Sequence, residues 1–257
     1  NITRAEVSAI IWRVNQTKST TGSNTGSNTG SNTGSNTGSN TGSNTNPDDH
    51  TGQIQYNGQW IDIFKGVPLN QYDKSKFYQS DGKTLYQSKD YKTETGVDVS
   101  IYQGTIDWKK VKESGIDFAI IRVGGRGWGS DGNIYADTKF KENIEGALDA
   151  GLGVGVYFFS QAITVEEAIE EAQYTLNKIK GYDITYPVVF DWERIGGSET
   201  RTYGLSTSTL CAAANTFCQM VEDAGYKPMI YFNSYAGYMK YDLAKVMDYE
   251  FWFAQYT

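Results

Sequence analysis

Two carboxylates one residue apart, Asp191 and Glu193, close the run Pro187-Val188-Val189-Phe190-Asp191-Trp192-Glu193. Proline suits the first position of a strand, and the apolar run behind it suits a parallel strand covered on both faces. Side chains alternate along a strand, so the two acids point to one side, roughly 6.5–7 Å apart along the backbone. Acids in that relation at the end of a buried strand are costly to ionise together. Groups perturbed in this way cluster at functional sites. The competing reading is a strand that runs out into solvent with two surface acids on it.

Acids with aromatics around them suit the cleavage of a sugar acetal. That reaction needs a protonated carboxyl for the leaving oxygen and a negative group near the positive charge that develops at the anomeric carbon. A third acid, Asp98, ends another apolar run. Crowding of Asp98, Asp191 and Glu193 raises at least one of their pKa values, which makes a usable acid. Aromatic residues make up 14% of the chain, more than a core requires and suited to stacking on sugars. The single histidine, His50, lies in a polar stretch. A Ser-His-Asp triad or a His-ligated zinc in the folded part is thereby excluded. No metal or organic cofactor is called for. A formal net charge of −7 argues against nucleic acid as a partner, because phosphate binding needs a basic face. No run of 18 apolar residues is present, so no membrane-spanning helix is expected. Cys211 and Cys218 fall in one helical segment, about 10 Å apart, too far for a disulfide.

Elements able to position these acids set in at Gly96. Short apolar runs at 97–99, 118–123, 154–159, 188–190, 229–232 and 251–254 alternate with helical patterns near 107–114, 139–150, 164–180, 207–224 and 241–246. Such alternation gives a parallel α/β sheet. Polar residues gather at the C-terminal ends of the strands, the rim that carries the active site in a parallel barrel. They are Asp98 and Ser100, Arg122, Tyr157 with Phe159 and Ser160, Asp191 and Glu193, Tyr231 and Asn233, and Gln255 with Tyr256. Ser100, Ser160 and Tyr256 read as local caps.

The first 93 residues have other characters. Residues 1–16 read as a short amphipathic helix with a Thr3/Glu6 capping box, and Thr3-Arg4-Ala5-Glu6 resembles the closing helix of an S-layer homology repeat. That resemblance implies upstream repeats that bind a cell-wall polymer. Residues 17–50 hold a Thr-Gly-Ser-Asn repeat without apolar residues, a tether with a typical span of about 30 Å. Residues 51–93 read as a β-rich arm, with Asn57-Gly58 as a hairpin turn and Lys83–Tyr86 as a further strand. The chain begins with Asn, not Met, and reads as an internal piece of a longer protein.

Gly96-Val97-Asp98-Val99-Ser100, Gln103-Gly104, Ile106-Asp107-Trp108 and Phe190-Asp191-Trp192-Glu193 together resemble the glycoside hydrolase family 25 lysozymes, the N-acetylmuramidases. Tyr157-Phe158-Phe159-Ser160 and Tyr231-Phe232-Asn233 lie at the strand ends this resemblance expects. It spans 96–257 and assigns the catalytic domain to 94–257. It implies a flattened (β/α) TIM-like barrel, incomplete at the C-terminus, with an open edge and poor stability or activity as a fragment. It implies hydrolysis of the β-1,4 bond between N-acetylmuramic acid and N-acetylglucosamine in peptidoglycan glycan strands, outside the cell at the bacterial wall. By position, Glu193 matches the general acid/base and Asp191 the carboxylate that assists the substrate's acetamido group. Asp98 matches a supporting acid. Tyr157 and Tyr231 match contacts near the cleaved sugar, joined by Phe159 and Asn233. Arg122 and Gln255 take either a substrate-binding or a structural role. A chitinase-like hydrolase and a non-catalytic wall-binding module are the rival readings. Chitinase-like barrels carry further Asp residues earlier in the same strand, where this chain has Val188, Val189 and Phe190.

Overall fold

The computed structural model describes residues 50–254 apart from 51, 63, 68–71 and 90. The expected anchor helix, nearly all of the tether, Gln255 and Tyr256 lie outside the described residues. The chain divides into two units, 14–62 in one and the remainder in the other.

In the first unit, β1 (Gln53–Tyr56) and β2 (Gln59–Asp62) pair antiparallel with Tyr56 opposite Gln59. Asn57 and Gly58 have φ of 49° and 76°, the left-handed pair that a two-residue type I′ turn requires. His50 stacks on Trp60 with ring centroids 3.6 Å apart.

The second unit opens with another hairpin, β3 (Phe77–Ser80) and β4 (Lys83–Tyr86). The alternating elements follow: β5 (Gly96–Val99), α1 (Trp108–Glu113), β6 (Phe118–Arg126), β7 (Ile134–Ala136), α2 (Phe140–Asp149), β8 (Gly153–Ser160), α3 (Val165–Ile179), β9 (Val188–Trp192), α4 (Thr207–Asp223), β10 (Pro228–Asn233), α5 (Ser234–Met239) and β11 (Glu250–Ala254). The strands β11-β10-β9-β8-β6-β5 form one parallel path, and β7 adds antiparallel to the end of β6. Strands β5 and β11 are the two edges of this sheet.

Alternation along the strands separates two cores. Outward residues such as Val97, Ile121, Val156, Phe158, Phe190 and Ile230 pack with the helices into the main core. Inward residues Phe118, Ile120, Val189, Met229, Tyr231 and Trp252 form a second cluster. Each large side chain so buried contributes about 1.5–3 kcal/mol. The inner face is crowded at its base. The rings of Phe118 and Tyr186 stack at 4.4 Å, and a Cβ on Gly96 would fall 2.1 Å from the Phe118 ring. Inward side chains from all six parallel strands line one cavity, so the sheet is curled with this face concave.

Two elements differ from the expected pattern. The segment 241–246 contributes only a 3-10 turn at Leu243–Lys245, and the helix α5 comes earlier, starting directly from β10. Strand β6 runs past Val123 to Arg126, where β7 gives it an antiparallel partner. That ribbon is set by pairing across the chain, which local apolar periodicity does not report.

Candidate active site

Register places the acids. Asp191 on β9 has Phe159 of β8 beside it on one side and Tyr231 of β10 on the other. Tyr231 in turn neighbours Trp252 of β11, with rings edge to face at 5.0 Å. Arg122 lies beside Tyr157 where β6 meets β8, and the register shifts there between Arg122 and Gly124. Irregularities of this kind re-aim side chains near active sites. Asp98 comes from β5, and Glu193 is the first residue past β9.

These residues meet in a cavity of about 680 Å³ lined by Asp98, Arg122, Tyr157, Phe159, Asp191, Glu193 and Tyr231, with Trp252 among its walls. The acid from the first strand thus shares the cavity with the Asp-x-Glu pair. Both members of the pair face the same side, as alternation requires. The rim carries two exposed aromatics, Tyr102 at 83% and Trp128 at 51% of full exposure.

Electrostatics distinguishes the acids. Asp191 is buried, and its Oδ1 has no hydrogen-bond partner among the described residues. Burial, reinforced by Glu193 and Asp98, pushes its carboxyl far above the usual carboxylate range, and Arg122 opposes the rise. The rise expected from crowding therefore falls on Asp191. Burial, together with Asp191 and Asp98, also pushes the Tyr157 phenol up, so it stays protonated at neutral pH and can donate to a substrate oxygen.

Arg122 is the cation nearest this set, but it is tied elsewhere. Its Nε donates to Asp137 Oδ2 at 2.7 Å, and its guanidinium lies 5.0 Å from the Tyr102 ring centre. Asp137 is buried and also accepts from the backbone N–H of Ile101 and of Lys139, both at 2.9 Å. Sequence reasoning missed Asp137. It lies 15 residues from Arg122 with no motif to join them.

Residues 97–257 match the family "Glycosyl hydrolases family 25". The chain belongs to this family. Among curated relatives, it is similar to an autolytic lysozyme of Clostridium acetobutylicum, 27% identical over 63% of this chain and 44% of that protein. It is 33% identical to lysozyme M1 of Streptomyces globisporus over 48% of this chain and 40% of the relative. The chain spans about half the length of the curated relatives it matches. Among solved structures, the bacterial lysozyme of Streptomyces coelicolor aligns with a TM-score of 0.52 and 26% identity, over 63% of this chain and 74% of that one.

Within the family frame, one expected contact is placed otherwise. Asn233 was expected at the substrate, but its Oδ1 accepts from the N–H of Ala236 at 3.0 Å and caps α5. An Asn just before a helix supplies the cap for which its short side chain is suited. Asn233 is not among the residues that line the cavity. Ser100 and Ser160 act as local caps, Ser100 in a capping box with Gln103 and Ser160 through Ala162 N–H. Gln255 lies outside the described residues.

Proposed function

We propose that this chain carries the catalytic part of a peptidoglycan hydrolase, cleaving the β-1,4 bond between N-acetylmuramic acid and N-acetylglucosamine. The observation that carries the reading is the convergence of Asp98, Asp191 and Glu193 in one concave cavity, with Asp191 buried and its Oδ1 without a hydrogen-bond partner among the described residues. The names of its relatives, an autolytic lysozyme and lysozyme M1, agree with it.

Glu193 serves as general acid and gives its proton to the glycosidic oxygen as the C1–O bond breaks. The leaving sugar departs with a new hydroxyl. The substrate's own acetamido oxygen attacks C1 and forms an oxazolinium, whose positive charge Asp191 offsets as a carboxylate. Water then adds to C1, its proton passes to Glu193, and the ring reopens to the acetamide. This is a substrate-assisted variant of the two-carboxylate scheme. Burial and the neighbouring acids disfavour the charged form of Asp191 before any substrate charge appears. The positive charge that builds on the substrate favours the charged form of Asp191. Asp98 supports that state, Tyr157 and Tyr231 contact the cleaved sugar, and the exposed Tyr102 and Trp128 rings offer stacking faces. Arg122 and Phe159 line the same groove. The curled sheet is part of a flattened barrel. The protein acts at the bacterial cell wall, where the tether and an anchor that binds a wall polymer hold it.

Release of new reducing ends from purified peptidoglycan by the full-length protein, compared with Glu193→Gln, tests the reading. Muramic acid at the new ends is the expected result. Glucosamine at those ends, or equal release by the variant, overturns it.

A further inference from the structure

We propose that Gln161 is a positioning residue for Glu193 and fixes where the acid stands against the leaving oxygen. The inference rests on the role given to Glu193 above. Main-chain pairing of β8 with β9 ends at Ser160 opposite Trp192. Gln161 and Glu193 are the next residues on the two strands, and there a side chain replaces the ladder. Gln161 Nε2 donates to the backbone carbonyl of Glu193 at 2.8 Å and to that of Ser160 at 2.8 Å. Both partners are acceptors only, which fixes the orientation of the amide. Its Oε1 accepts from the Thr202 hydroxyl at 3.2 Å.

The clamp is itself anchored. The Gln161 carbonyl accepts from Arg201 Nη1 at 3.0 Å. The Arg201 guanidinium is bound by the Glu167 carboxylate in the first turn of α3. Gln161 and Thr202 are both buried. A buried amide with every partner satisfied holds its neighbours rigidly, and the loss of one partner leaves carbonyls unpaired. Gln161 does not line the cavity. It acts on the reaction only through the backbone of Glu193. An acid displaced by about 1 Å can lose about 100-fold in rate.

The test uses the full-length protein and two substrates. One is soluble glycan fragments of peptidoglycan. The other is a 2,4-dinitrophenyl β-glycoside of N-acetylmuramic acid, whose leaving group departs without a proton. The quantity read is kcat/KM, which reports the step in which the leaving group departs. Gln161→Met is expected to lower it about 10- to 100-fold on the fragments through kcat, with KM unchanged. On the dinitrophenyl glycoside the variant should match the wild type. Equal loss on both substrates, or no loss on the fragments beside an active wild type, overturns the inference. A wild type that cleaves neither substrate overturns the proposed function, and this inference with it. Should Gln161→Met fail to fold, Thr202→Val removes the hydroxyl that holds Oε1. It should show the same split at smaller size, and its absence counts against the clamp in the same way.

Discussion

Two buried acids, one on each side of the sheet, sit in opposite company. Asp191 shares the inner cavity with Glu193 and Asp98. The nearest guanidinium there, Arg122, hydrogen-bonds Asp137 instead. Glu171 lies in α3, whose Ala168 and Ala172 pack in the outer core. Arg126 donates its Nε to Glu171 at 2.7 Å, its Nη2 to Glu170 at 3.0 Å and its Nη1 to the Gly132 carbonyl at 2.7 Å. Burial raises both acids, Glu171 to about 7 against the pull of its hydrogen bonds. The outer cluster sets the Arg126 guanidinium against Glu171 and Glu170 in fixed geometry. The inner cluster leaves acid facing acid, which costs stability and supplies a group ready to exchange a proton. The difference separates a structural ion cluster from a site poised for charge that arrives with the substrate.

Removal of one member from each cluster should therefore have opposite signatures. Glu193→Gln should lower kcat on peptidoglycan by about 100- to 10,000-fold, the usual worth of a general acid, with the melting temperature unchanged. A variant that keeps activity would remove Glu193 from the acid role, and one that unfolds would place it in the structural class. Arg126→Met should do the reverse. It strands Glu171 in the interior and should cost about 3–5 kcal/mol of stability, read by denaturant unfolding. The double variant Arg126→Met/Glu171→Leu should recover most of that loss, since well-packed apolar groups can replace a buried pair. A double variant as unstable as the single one would show that the cluster does more than neutralise itself.

Much of this was legible in the chain. Apolar runs between glycine-ended helices marked the six parallel strands, because strands covered on both faces are continuous hydrophobic stretches. Alternation along one strand was enough to aim Asp191 and Glu193 together. What escaped notice depends on distant partners. Asp137 reaches Arg122 only after β7 folds back on β6. Gln161 meets Glu193 across 32 residues, through a side chain that no local motif marks. Asn233 is a different case: it caps α5 and does not line the cavity. A polar residue at a strand end looks like a site residue until the helix it caps is seen, and α5 is only six residues long. The sequence Asn233-Ser234-Tyr235-Ala236 did carry that signal, as a cap residue three positions before its donor.

The smallest effect is also the most direct probe of the contrast. The folded-state pKa of Asp191 lies above its unfolded value. A raised acid keeps its full contribution to stability below the unfolded pKa, near 3.9 for Asp. That contribution is lost as pH rises toward the folded value, because the unfolded chain releases the proton more easily. Asp191→Asn removes the titration and keeps the shape. At neutral pH the variant should melt at a higher temperature than the wild type, while its activity on peptidoglycan falls. Below about pH 4 the two melting temperatures should converge. Thermal unfolding followed from pH 3 to pH 8 reads the whole curve. A variant that melts lower at neutral pH would mean that the carboxylate is satisfied in the folded state. Asp191 would then belong with Glu167, whose carboxylate burial would raise but Arg201 and the Ile163 N–H hold below the usual range. The inner cluster would become a second structural ion network, and the distinction between the two faces of the sheet would be gone.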